Sequence, residues 1–245
     1  MRTSRRELLQ VGAATVATVT VSGCTTTLSS GSALQSQLDE VASTTETYSD
    51  PEAALRDGFR ITGPAAPGQG WHFVNNERVR AAAKEGPDRS KPQVLTYDTD
   101  LNLVAVEWAV PVDAVDESPD LFDDDGAEAT EKWHTHDSFT HVFANGNGQA
   151  DDPESVGFEA LTTADNWSAF RPPNTDLSPG DEASLKWGVE SPDADDGNET
   201  RVVDIAATHP SLETLHVWVH RENPEGVFHP THPDVAGGSE HDHDH

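Results

Sequence analysis

The sequence predicts an α+β fold: a single domain built on an antiparallel β-sheet, with one or two N-terminal helices. Three observations carry this expectation. Residues 94–97 and 103–111 are apolar, β-branched runs on either side of an Asp/Asn turn, which reads as a β-hairpin. Leu215-His216-Val217-Trp218-Val219-His220 alternates in the manner of a half-buried strand. Asp50-Pro51-Glu52, followed by Ala53-Ala54-Leu55-Arg56 and closed by Gly58, carries the start and stop signals of a short helix.

In chain order, residues 1–23 read as an export signal. Arg5-Arg6, followed by Leu8-Leu9, resembles the twin-arginine address. The weakly apolar residues 11–21 are about half the roughly 20 residues that a membrane-spanning helix needs. Val21-Ser22-Gly23-Cys24 resembles a lipobox, in which the cysteine becomes the lipidated first residue. The expectation is export by the twin-arginine translocase and a lipid anchor on Cys24 at the outer face of the cytoplasmic membrane. Cys24 is the one cysteine in the chain, which excludes disulfides, thiol redox chemistry and iron–sulfur ligation in the exported part. Residues 24–47 are rich in Ser and Thr and fit a tether, with a preceding helix over 34–47 as the alternative.

The chain carries 44 acidic against 15 basic residues, a formal charge of −29. Loss of residues 1–23 removes three arginines and one glutamate and leaves −31. Such a surface repels itself at low ionic strength, whereas at molar salt the screening length falls to about 3 Å. Pervasive acidity with only four lysines resembles the proteins of salt-loving archaea. Nucleic-acid binding is excluded, because no basic patch is present to neutralise phosphates. Six Trp and eight Phe, spread from Phe59 to Phe228, argue against wholesale disorder.

The domain is expected over residues 48–236. Its first helix is followed by a Gly/Pro-rich loop at 63–70, a short strand at 71–75, and a polar helix and turn at 78–91. After the hairpin, residues 113–132 turn acidic and irregular, and 133–143 form a histidine-bearing segment. Weaker strands are read at 158–161 and 183–189, and Asn223-Pro224-Glu225-Gly226 is a turn by composition. Residues 237–245 contain no apolar side chain and are expected to be a disordered His/Asp tail. Asn166-Trp167-Ser168 and Asn198-Glu199-Thr200 match the glycosylation acceptor pattern.

Twelve histidines, none before His72, are the unusual feature. In the second hairpin strand, Ala105, Glu107 and Ala109 share one face, so Glu107 stands between two small residues in an apolar run. A carboxylate there must find a partner. His72 and His216 also alternate against bulky faces, and with Glu107 they can converge as ligands for zinc, copper, iron or manganese. The alternative is an ion pair between Glu107 and Arg60 or Arg201. A second candidate set is His134, His136 and His141. His134 and His136 would point the same way on a strand and chelate one ion, whereas His141 would point away unless a bend intervenes. This spacing faintly resembles the first cupin motif, without its leading glycine and with His141 where a carboxylate belongs. His229, His232 and the tail histidines His241, His243 and His245 could bind metals loosely.

Four boxes in order resemble a family of small secreted proteins known chiefly from bacteria: Gly68-Gln69-Gly70-Trp71-His72-Phe73-Val74-Asn75, then Val94-Leu95-Thr96-Tyr97, then Leu103-Val104-Ala105-Val106-Glu107, then Leu215-His216-Val217-Trp218 with Asn223-Pro224-Glu225-Gly226-Val227-Phe228. The resemblance covers roughly residues 53–235 and is weakest at 113–211. It implies a common fold, names no activity, and places His72, Glu107 and His216 inside the recognised boxes. The resulting expectation is a metal-binding lipoprotein. The alternatives are a metal-dependent enzyme with a cupin-like site, in which His134 or His136 acts as general base, and a structural cell-surface module without metal. No Gly-x-Ser-x-Gly elbow, phosphate loop or dinucleotide fingerprint is present.

Overall fold

The computed structural model describes residues 30–123, 132–152, 155–170, 177–190 and 198–235. The expected export signal with Arg5 and Arg6, the lipobox-like stretch with Cys24, and residues 237–245 lie outside the described residues. Among the described residues, no helix is long and apolar enough to cross a membrane.

Residues 30–45 of the Ser/Thr-rich segment are helical: α1 runs Ser30–Thr45 and buries Val41 in the main core. Helix formation over this stretch, rather than a tether, follows from Leu34, Leu38 and Val41, which recur on one face and pack inward. A 3-10 turn at Glu46–Ser49 leads into α2, Pro51–Arg56. Asp50 caps it by accepting from the backbone N–H of Glu52, and proline opens its first turn.

The first sheet holds β1 Arg60–Ile61, β2 Trp71–Val74, β3 Val94–Tyr97, β4 Leu103–Pro111, β12 Leu212–Val217 and β5 His134–His136, all antiparallel in that spatial order. Between β2 and β3 lies α3, Asn76–Glu85, capped by the Asn75 side chain. Gly70, at φ +80°, stands so close to its neighbour strand that a Cβ would meet the Tyr97 carbonyl oxygen at 2.1 Å. Only glycine fits that turn into β2.

One face of the sheet is apolar. Trp71, Phe73, Leu95, Tyr97, Val106, Trp108, Val110, Leu215 and Val217 line the main core with α1, α2 and Tyr48. Each large side chain so buried contributes about 1.5–3 kcal/mol. The hydroxyl of Tyr97 donates to the Tyr48 carbonyl at 2.7 Å, and Trp108 Nε1–H donates to the Asp88 carbonyl at 2.9 Å, so the polar ends of both rings are satisfied.

A second sheet, in the order β11-β6-β7-β9, is formed by β11 Ile205–His209, β6 Phe139–Phe143, β7 Trp167–Phe170 and β9 Val189–Glu190. β8 Glu182–Leu185 and β10 Glu199–Val202 make a separate antiparallel pair. The strand expected at residues 158–161 is instead a helical turn, α4 Phe158–Leu161, held by backbone N–H groups that donate to the Gly157 and Phe158 carbonyls. Four residues with Phe and Leu at the ends satisfy either period, and the neighbouring turn decided it.

The chain passes between the two large sheets at two short corners. Asp137-Ser138 links β5 to β6, and Pro210-Ser211 links β11 to β12. The histidine-rich face lies beside these corners.

Candidate metal centre

The face of the first sheet opposite the core is built differently. Strand parity sends His72 and Val74 from β2, Val94 and Thr96 from β3, Glu107 and Ala109 from β4, Thr214 and His216 from β12, and His134 and His136 from β5 to one side. His216 stands directly opposite Glu107 in register, Val94 flanks Glu107 on its other side, and Thr96 is opposite His72. Small neighbours on its own strand, Ala105 and Ala109, leave room for the carboxylate.

Glu107 is brought together with His72 and His216, as the sequence parity predicts. His216 Nε2 lies 3.3 Å from Glu107 Oε1, and His72 Nε2 lies 3.6 Å from Glu107 Oε2. One potential ligand atom from each residue falls within 4.8 Å of the others. The side chains of Glu107 and His216 are 5% and 1% exposed, and that of His72, at 22%, is the member open to the cleft. A buried His72–Glu107–His216 group of this kind could hold a metal ion.

The alternative ion pairs do not form. Arg60 donates to the carbonyls of Leu55 and Phe59, and Arg201 pairs with Glu199. Glu107 Oε2 is therefore buried with no hydrogen bond among the described residues, as are Thr96 Oγ1, His216 Nδ1 and His134 Nδ1. Native interiors leave few such atoms unpaired, and a cluster of them calls for a missing partner. Burial by itself would raise the Glu107 carboxyl, but His216 and His72 reverse that and hold it at about 2. Burial pushes His72 down to about 4 against the opposing pull of Glu107.

The second predicted set is divided. His134 packs against His216, with ring centroids 5.1 Å apart, and its Nε2 meets the Thr214 hydroxyl at 2.9 Å. Burial, followed by the influence of His216, lowers it to about 4. His136 stands further along the same strand face, 5.3 Å by centroid from His209. His134 and His136 do point the same way, yet their neighbours differ, His216 for the first and His209 for the second. His141 does not point away as strand parity implied. The bend at Asp137-Ser138 transfers the chain to the second sheet, and His141 returns to the same cleft. There it stacks on His209 at 5.3 Å and is pushed down to about 3, chiefly by burial and next by His209.

His209 was not singled out by the sequence. It ends β11 after Ala206-Ala207-Thr208, a stretch without a clear polar alternation. The signal that could have found it is its position three residues before the start of β12, where a corner returns the chain to the site. His229 and His232 lie elsewhere, beside Glu225 and Trp218 respectively. His220 meets Thr45 of α1 at 2.8 Å.

A cleft of about 500 Å³ runs over this face, with His72, Glu107, His136, His141 and His209 in its walls. Val74, Val79, Val94, Ala109 and Leu212 give it an apolar side, and Arg80 stands at its margin. Of the glycosylation patterns, half-buried Asn166 donates its amide to the Ala160 carbonyl, and Ser168 is fully buried. Asn198 is exposed at the start of β10. No protein-family model, curated protein or solved structure matches the chain.

Proposed function

We propose that this protein is an exported, lipid-anchored metal-binding protein that holds a divalent transition-metal ion through His72, Glu107 and His216. The observation that carries the reading is the convergence of one ligand atom from each of the three residues within 4.8 Å, beside a buried Glu107 Oε2 that has no hydrogen bond. Two ligand atoms at about 2.1 Å from a tetrahedral ion are roughly 3.4 Å apart. The two His–Glu separations of 3.3 and 3.6 Å bracket that value and are long for hydrogen bonds. Imidazole with carboxylate and no thiolate suits zinc, iron(II), manganese or copper(II). The anchor and export rest on the order Arg5-Arg6, apolar run, Cys24, and the acidic surface favours a saline exterior.

A second reading draws on the cleft. Three protein ligands beside an open space leave a coordination position for water or substrate, as catalytic centres do. The module without metal is disfavoured by the unpaired Glu107 oxygen.

The test uses the whole chain carrying His241→Asn, His243→Asn and His245→Asn, so that the tail does not contribute. Purified in molar salt, it should carry stoichiometric metal by elemental analysis, and Glu107→Gln or His216→Ala should lower affinity at this site at least 100-fold. A chain that takes up no ion defeats both metal readings. With cobalt(II) as the probe, a visible spectrum altered by azide would mark an open position and favour catalysis. An unaltered spectrum would favour binding alone.

A further inference from the structure

We propose that the cleft binds a small organic acid, an aliphatic monocarboxylate whose chain lies on the apolar wall and whose carboxylate is held by Arg80. Arg80 and the apolar wall contribute no ligand to the proposed ion, so either site can fail without the other.

The wall is apolar surface that the fold itself does not use. Val74 and Val94 are opposite each other in the β2–β3 register, and Ala109 shares the strand face of Glu107, the β4 partner of Val94. Val79 joins them from α3, and Leu212 from the start of β12. Val74, Val79 and Leu212 are half-buried. None of the five belongs to the main core beneath the sheet or to the two smaller apolar clusters. Single half-exposed apolar side chains are ordinary, but these are gathered in one concavity of about 500 Å³, within the size range of small-ligand sites.

Helix α3 divides its side chains between two surroundings. Arg78 lies over the rings of Tyr48 and Phe59, and Ala82 enters the main core. Asn76, Val79, Arg80 and Ala83 recur at i, i+3, i+4 and i+7, and all four line the cleft. One helix face thus brings a guanidinium and two apolar side chains to the same space.

Charge complementarity names the occupant. The chain holds 44 acidic residues, yet among the described residues Glu107 is the one carboxylate in the cleft walls, and its oxygens face His216 and His72. The other arginines of the described residues are engaged. Arg56 pairs with Asp50, Arg89 with Glu40, Arg201 with Glu199 and Arg221 with Asp98, while Arg60 and Arg78 donate to backbone carbonyls. Arg80 alone has no hydrogen bond or ion pair among the described residues. Its planar fork of N–H donors matches a carboxylate. A second charge on the ligand would have to lie on the valines or against Glu107, so one carboxylate is the better match.

The tail-substituted chain described above, stripped with a chelator, is titrated in molar KCl with hexanoate, hexanamide and acetate while backbone ¹⁵N shifts are followed. Hexanoate should bind at least about tenfold more tightly than hexanamide, which lacks the charge, and than acetate, which lacks the chain. The shifts should centre on Val74, Val79, Arg80 and Leu212. Arg80→Gln should bring hexanoate down to the hexanamide level and leave hexanamide unchanged, whereas Val79→Thr should weaken both alike. Equal affinities for hexanoate and hexanamide, hexanoate binding that survives Arg80→Gln, or no saturable shift at the cleft overturns the site. Repeating the titration on the zinc-loaded chain separates this site from the metal centre. Hexanoate that binds only with zinc present is a metal-held carboxylate and overturns the Arg80 site. A chain that takes up hexanoate but no zinc overturns the metal centre alone.

Discussion

At Gly63 a single hydrogen atom decides whether His141 can stand in the cleft. A methyl there would meet Nδ1 at 2.5 Å and Cε1 at 2.9 Å, and the ring is already packed against His209. Gly63→Ala is therefore expected to cost about 1–3 kcal/mol through overpacking. Thermal unfolding of the two chains in the same salt measures it, and equal midpoints would contradict the contact. Glu107 shows what was legible at this scale. Its parity with Ala105 and Ala109, and that of His72 and His216 against bulky faces, can be read from period-two alternation alone. The orphaned oxygen could not be read, because it depends on where Arg60 and Arg201 go, and both are drawn off to carbonyls or to Glu199.

Among the elements, the β3–β4 hairpin is the best specified. Asp98 accepts from the backbone and side chain of Asn102 and from the guanidinium of Arg221, so the turn that closes the hairpin also ties down the segment after β12. Burial works to raise the Asp98 carboxyl, but the hydrogen bonds from Asn102 and Arg221 outweigh it and leave its pKa below the usual value. A depressed folded-state pKa adds stability above the unfolded value near 4, and that stability is lost as pH falls through the lower folded value. Asp98→Asn should cost about 1.5–3 kcal/mol at neutral pH, and the difference from the parent should shrink below about pH 4. Denaturant titrations at pH 7 and pH 3 check this, and a difference that does not depend on pH would refute it. The hairpin, β2, β12 and α2 were legible because each carries its own alternation or cap. The turn at Phe158–Leu161 and the return of His141 were not, because a four-residue run has no period and a corner between sheets resets parity.

For the whole molecule, the antiparallel architecture with N-terminal helices followed from the strand runs, whereas the second sheet was largely hidden. Its strands are short, and β11 mixes Ala, Thr and Ile without contrast. The net charge of −29 acts at this scale only. Screening at molar salt removes most of the self-repulsion, so the unfolding midpoint should rise by on the order of 10 °C between 0.1 and 2 M KCl. A midpoint that stays flat over that range would show that the acidic surface is neutral for stability.

The place of β12 has one more consequence. Made after every other described strand, it enters the sheet between β4 and β5 and sets His216 opposite Glu107, 109 residues upstream. A growing polypeptide has the carboxylate and the first imidazole long before it has the second. No half-built chain can hold an ion in this cradle, and such distant pairings make for slow folding. If the proposed ion binds here, its capture marks completion, because only a molecule whose β12 has found its slot offers all three ligands.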